Sequence, residues 1–134
     1  MAITYAWRGA FANDEVNPLH AEAFGHRLLA DDDWVGQVER HSLGWVTARD
    51  GEALVGFVNV PWDGGVHAFV LDTMVATSAR HRGIGLGLVQ AAVAACRDRG
   101  GLEWLHVDYD EELRPFYEDA CGFTPAPAGL VALA

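Results

Sequence analysis

The sequence predicts a mixed α/β fold, a mainly antiparallel sheet flanked by helices, and three observations carry that reading. Two glycine-bearing turns, Asp50-Gly51 and Asp63-Gly64-Gly65, separate runs of strand-like apolar residues, which marks adjacent antiparallel strands. After the third of those runs the apolar period becomes helical, with Ile84, Leu88, Ala92 and Ala95 on one face. A further strand follows that helix. Residues 67–75, 84–99 and 102–107 therefore make a strand, crossover helix and strand unit, which is right-handed and joins parallel strands. A chain of 134 residues, 51% apolar and 21% charged, suits one packed domain over residues 1–134.

The elements follow in order. Residues 3–8 read as a first strand, with Tyr5 and Trp7 alternating with smaller neighbours. Asn13 and Asp14 are expected to cap a helix through Leu19, Ala23 and Phe24. Asp31, Asp32 and Asp33 precede a second short helix at 34–41. Carboxylates there complement the helix dipole, and they also offer a contact to a substrate ammonium. Residues 43–49 and 52–61 form a hairpin about Asp50-Gly51, and 67–75 is the third antiparallel strand. The long helix runs from Ile84 to about Arg99 and stops at Gly100-Gly101. Beyond the strand at 102–107, Asp110-Glu111-Glu112 open a short helix through Phe116, Tyr117 and Ala120, ended by Gly122. The tail from Phe123, with Pro125 and Pro127, is expected to supply irregular edge strands.

Charge narrows the function. Nine basic residues, all arginine, face nineteen acidic ones, for a net charge of -10. Nucleic-acid binding rests on clustered positive charge, so nucleic acid is excluded as a partner, and the field favours cationic small molecules instead. No apolar run approaches the roughly 20 residues of a membrane span, so no membrane partner is expected. Residues 1–9 lack the basic-then-apolar layout of a signal peptide, and a cytoplasmic location is expected. Cys96 and Cys121 alone make neither a disulfide scaffold nor a four-cysteine zinc site, and Cys96 reads as a small buried hydrophobe. His20, Glu22 and His26 are not read as a metal set, because a spacing of six puts the two histidines on different helix faces. No metal is expected.

The most informative segment is Arg80-His81-Arg82-Gly83-Ile84-Gly85-Leu86-Gly87-Leu88, which links a strand to the long helix. Its glycines let a ligand approach the backbone, and the first N–H groups of a helix form an anion site. A Walker loop needs lysine, and the chain has none. The spacing Gly-x-Gly-x-Gly also departs from a dinucleotide fingerprint. Helix–sheet packing alone is a further use of such glycines. Arg80-x-x-Gly83-x-Gly85 matches the Arg/Gln-x-x-Gly-x-Gly/Ala signature of the GNAT N-acetyltransferase superfamily, which the chain resembles. Leu113-x-x-Phe116-Tyr117-x-x-x-Cys121-Gly122-Phe123 is similar to that family's second motif, Ala-x-x-Leu-Tyr-x-x-x-Gly-Phe, and the order of elements up to Phe123 agrees. Asp110 stands where that motif usually begins with Asn; it keeps a capping oxygen but loses the donor. His81 stands where the family often has Gly.

The resemblance implies acetyl transfer from acetyl-CoA to a primary amine, with a small, cationic molecule as the suggested acceptor and a homodimer as the suggested assembly. It implies that Thr73, Met74 and Val75 hold the acyl group and pantetheine arm through the backbone. Arg80, His81, Arg82, Gly83, Ile84, Gly85, Leu86 and Gly87 would grip the pyrophosphate, and Asp110 and Tyr117 would touch the cofactor. Tyr117 is the proton donor to the leaving sulfur. The carbonyl is polarised by a backbone N–H near Val75, at a bulge that opens the sheet. The family's usual base positions fall on Phe69 and Leu71, which cannot take a proton. His67, by a water relay, and Asp72 are the substitutes, with His106 and Asp108 on the next strand; water itself, or an amine arriving neutral, is the other option. Asp72 is alternatively a binding group for a cationic acceptor. Phe24, Trp34, Trp62 and Tyr109 are candidate acceptor-pocket walls. The competing function is a non-catalytic acyl-CoA-binding or sensor module of the same fold.

Overall fold

The computed structural model describes residues 2–134; Met1, with which the expected domain begins, lies outside them. Strands β1 (Ile3–Trp7), β2 (Ser42–Asp50) and β3 (Ala53–Pro61) form an antiparallel meander, joined at the hairpin by Gly51 with φ +62°. Side chains alternate across a strand, so the sheet serves two cores. Val46, Ala48, Val58 and Val60 meet Ile84, Leu88 and Ala92 of α3 (Ile84–Arg99). Trp45 and Phe57 meet Val16, Leu19, Trp34 and Val38, carried by α1 (Asn13–Phe24) and α2 (Trp34–His41). The mixed, mainly antiparallel architecture is the one the turns and periods predict. The buried stripe of α3 ends on Cys96 rather than Ala95.

Asp33 caps α2, accepting from the Gly36 N–H at 3.0 Å. Asn13 is not the cap of α1. That position is Ala12, whose N–H donates to the Glu15 carboxylate at 3.0 Å. The Asn13 amide reaches the neighbouring helix start instead, accepting from Val35 N–H at 2.9 Å and donating to Asp33 at 3.1 Å. One polar side chain thus ties the two helix starts together.

The third strand is not continuous. Its first part, β4 (His67–Phe69), pairs in parallel with β6 (Trp104–His106), as the crossover unit requires. Its second part, β5 (Leu71–Val75), pairs with β3, giving sheet order β1-β2-β3-β5. The cause is a bulge: Phe57 opposes Met74 and Asn59 opposes Leu71, so Val58 faces both Asp72 and Thr73. Asp72 takes the left-handed conformation, φ +59°. The bulge lies ahead of Val75, where it was expected.

Beyond β6 the expected short helix is irregular. Glu111–Leu113 form a 3-10 turn and Pro115–Ala120 a π-helical turn, closed by Cys121 N–H to the Phe116 carbonyl at 2.9 Å. Pro115 has no N–H to continue a regular helix from the turn before it. The expected edge strands of the tail do not form: residues 121–134 hold no strand, and Pro125 and Pro127 cannot donate to a ladder.

Candidate active site

The split strand opens a wedge. β5 pairs with β3 along one edge, and among the described residues its other edge has no ladder partner, because β6 is held by β4. The last bond across the gap is Val70 N–H to the His106 carbonyl, 2.8 Å. Below it lies a cavity of about 550 Å³, walled by Val70 to Thr73 on one side and by residues 107–118 on the other. An unpaired strand edge beside a cavity is where an extended, amide-bearing chain can add by strand-like bonding.

Tyr117 is the one buried residue of the π-helical turn, and it lines this cavity. Its hydroxyl donates to Thr73 Oγ1 at 3.4 Å, and its ring stacks on Tyr109 with centroids 5.1 Å apart. Burial pushes the Tyr117 phenol above its ordinary value, although Thr73 opposes this, so the group stays an O–H donor at neutral pH. Tyr109 donates its own hydroxyl to the Glu118 carboxylate. Asp110 also lines the cavity but makes no capping bond with its side chain.

The start of α3 lies at the end of the wedge. A Cβ on Gly85 would sit 3.5 Å from the Phe116 ring and 3.9 Å from Val75. Strand end, helix start and π-helical turn therefore converge on one glycine. Gly83 is the N-cap, at φ +73°, and no side chain caps α3 among the described residues. Its first N–H groups are available to an anion.

The segment 80–87 divides. Arg80 and His81 are exposed, His81 at φ +66°. Arg82 is already paired with Asp50 at 3.0 Å, which fastens the turn to the β2–β3 hairpin. The side chain of Ile84 is buried in the core, so only its backbone is open to a ligand. Leu86 is half-buried. Gly87 faces away from the wedge: a Cβ there would come within 2.3 Å of the Tyr5 ring. The Cα face of Gly87 thus serves helix–sheet packing, and its N–H is bonded to the Gly83 carbonyl at 3.0 Å.

Of the expected bases, the structure brings Asp72, beside Thr73, and Asp108, on the facing wall, into the cavity, with Phe24 and Tyr109 on the same lining. Burial raises the Asp72 carboxyl above the usual range, while the Asn59 amide and His20 act to lower it. His67 is not brought there. It sits on β4 with Nδ1 2.7 Å from His106 Nε2, and the His106 ring stacks on Phe69. Trp34 is core, and Trp62 sits under the Arg99 guanidinium, 4.6 Å from its centroid. His20 and His26, assigned to different helix faces, are in contact at 2.6 Å. α1 ends at Gly25, φ +70°, and the reversal folds His26 back onto His20, whose Nε2 lies 3.9 Å from Asp72. The glycine after Phe24 was the available signal, since a left-handed cap ends a helix and voids face counting beyond it.

A second cavity, about 510 Å³, lies behind β6 between α3 and residues 121–128 and is mostly apolar. Among the described residues no cluster of three or more His, Cys, Asp or Glu is placed to hold a metal, and no helix is long and apolar enough to cross a membrane.

A family model, that of the acetyltransferase (GNAT) family, matches residues 6–123. The fold is similar to that of a GNAT family acetyltransferase, SP0256, from Streptococcus pneumoniae TIGR4, with 23% identity, 99% of this chain and 98% of that one covered, and TM-score 0.77. It is also similar to AAC(6')-Iy in complex with the bisubstrate analog CoA-S-monomethyl-acetylneamine, with 17% identity, coverage of 100% and 99%, and TM-score 0.73. A third similar structure is the aminoglycoside acetyltransferase HMB0005 from an uncultured soil metagenomic sample, with 17% identity, full coverage of both chains, and TM-score 0.71. Comparison with curated protein sequences finds no match.

Proposed function

Because this chain belongs to the GNAT acetyltransferase family, we propose that it transfers an acetyl group from acetyl-CoA to a primary amine on a small, cationic acceptor. The observation that carries the reading is the wedge itself: the β5 edge without a ladder partner among the described residues and the buried tyrosine hydroxyl line one cavity, and the α3 start, with no side-chain cap, lies beside Phe116 and Val75. These residues fit a phosphate-bearing ligand with an extended amide arm. The backbone of Thr73, Met74 and Val75 would hold the arm, and the N–H groups at Gly83 to Leu86 would hold the pyrophosphate, with Arg80 adding charge. When bound, acetyl-CoA supplies an acetyl group already activated as a thioester.

The chain's own residues have two proton tasks. Tyr117 holds a proton at its hydroxyl, and burial keeps it there at neutral pH, ready to be given to a leaving sulfur. Asp72 offers a carboxylate to the acceptor ammonium in the same cavity. Asp108, Asp110, Glu111 and Glu118 line that cavity as well and make it attractive to a cation, with Arg114 the one opposing charge among its described lining. The bisubstrate analog CoA-S-monomethyl-acetylneamine bound to AAC(6')-Iy and the name aminoglycoside acetyltransferase of HMB0005 support an amine acceptor by analogy of fold.

The test is thiol release from acetyl-CoA across a panel of polyamines, aminoglycosides and amino acids. The reading expects release with a polycationic amine and none without an acceptor. Ligand at one hundred times its dissociation constant should also add about 2.7 kcal/mol to stability. Stabilisation by acetyl-CoA with no thiol release from any amine would instead make the chain a non-catalytic acyl-CoA-binding module.

A further inference from the structure

We infer that His20, backed by His26, is the outer leg of a proton relay that begins on the Asp72 carboxylate in the cavity. The inference rests on the acyl-transfer reading and supplies the proton acceptor that the strand positions Phe69 and Leu71 lack. Hydrogen-bond chemistry fixes the direction of the chain. The Arg27 carbonyl oxygen can only accept, so His26 Nδ1, 2.6 Å away, must carry a hydrogen. Neutral His26 then has its lone pair at Nε2. His20 Nδ1, 2.6 Å from that atom, must donate to it. Neutral His20 is left with its lone pair at Nε2, the atom that faces Asp72 Oδ1 at 3.9 Å. A backbone carbonyl at the outer end thus sets a free base at the inner end.

The surroundings suit the task. Phe24 lines the cavity and lies tilted against the His20 ring with centroids 4.6 Å apart, and Trp34 lies against the ring at 5.2 Å. The charged and titratable groups facing His20 are Asp72 from β5, Asp32 from the segment before α2, and His26. Asp72 is faced by His20 and by the Asn59 amide of β3. Burial, the largest influence, lowers the His20 value and raises that of Asp72, which brings the two proton affinities closer together.

The step balances as follows. An acceptor N–H bond breaks and its proton goes to the Asp72 carboxylate. His20 Nε2 takes that proton, which restores the carboxylate and leaves His20 an imidazolium whose Nδ1–H stays bonded to His26 Nε2; half-buried His20 then releases the Nε2 proton to solvent, and both rings are again in the Nδ1–H form. The 3.9 Å separation is an ion-pair distance, so this transfer proceeds through a side-chain rotation or one bridging water. His20 and His26 act through Asp72 and are positioning residues. Among the described residues no histidine lines the cavity itself; His20 reaches it through Asp72, and the other couple, His67 and His106, sits across β4 and β6.

The test uses the full chain labelled with 15N-histidine, followed through pH by long-range 1H–15N spectra, with His20→Gln and His26→Gln giving the assignments. Both rings should hold the Nδ1–H tautomer when neutral. His20 should titrate below free histidine, and Asp72→Asn should move it lower still, because the carboxylate that favours its charged form is gone. An Nε2–H tautomer at His20, or a titration unmoved by Asp72→Asn, overturns the relay without any turnover being needed. In thiol-release assays His20→Gln should lower kcat roughly 100-fold or more with KM for the amine unchanged, and imidazole should restore rate to His20→Ala. A wild-type rate in His20→Gln overturns the relay alone. No thiol release by the wild-type chain with any amine overturns the acyl-transfer reading, and the relay with it.

Discussion

The two walls of the wedge are built by different means. The β5 wall is pinned to β3, Gly56 to Val75, Phe57 to Met74 and Asn59 to Leu71, and Met74 is buried among Val16, Trp34 and Phe57. The facing wall, residues 107–118, is a 3-10 turn followed by a π-helical turn, and Tyr117 is the only buried residue of those two turns. One wall draws its shape from a sheet and a core. The other depends on the Tyr117 ring stacked on Tyr109, with Tyr109 held by Glu118. Local stability follows contact density, so the β5 wall should keep its shape with or without ligand, and the tyrosine wall should order around one.

The largest effect should come from the tyrosine wall. Tyr117→Phe removes the hydroxyl but keeps the stacked ring, and is expected to lower kcat about 100- to 10,000-fold with little change in melting temperature. A rate equal to wild type removes Tyr117 as proton donor. The matching change in the other wall, Met74→Ala, should act on the fold instead, costing about 2–5 kcal/mol in urea unfolding. A loss below 1 kcal/mol there would mean that the β5 wall is not core-supported.

Smaller effects separate the helix start from both walls. Gly83→Val forces a β-branched residue to φ +73°, a strain of about 1–3 kcal/mol, and should weaken coenzyme A binding in calorimetry. Unchanged affinity would show that the helix start is not the anion site. The smallest change is a gain. Burial raises the Asp72 carboxyl, so the native state holds more protons than the unfolded state between the ordinary and the raised value. Stability falls as pH rises through that window, and the penalty persists at neutral pH. Asp72→Asn should therefore stabilise the fold at pH 7, with the gain fading as pH drops below the ordinary carboxylate range. A gain that persists in acid would trace instead to the ease with which Asn adopts φ +59°.

What was legible in the sequence was local. The hairpin at Asp50-Gly51, the period change at Ile84 and the Gly83-x-Gly85 turn each depend on neighbours in the chain, and each stands in the fold where it was read. The bulge at Asp72 and Thr73 depends on Val58 of β3, a partner that no local pattern names. His20 and His26 meet only because Gly25 ends α1 and turns the chain back. Gly87 reads like its neighbours in the motif, and only the fold shows the Tyr5 ring packed against its Cα. The wedge was inferred from resemblance; the register shift is its physical origin.

The measurement that bears most directly on the wedge is a backbone amide map of the full chain with and without coenzyme A. The account predicts that the largest shifts and the new protection from exchange fall on Thr73 to Val75 and on Gly83 to Leu86, with Tyr109 and Tyr117 following. Saturable binding that leaves those amides unmoved, or that shifts only Val93, Cys96 and Leu102 around the cavity behind β6, would contradict it.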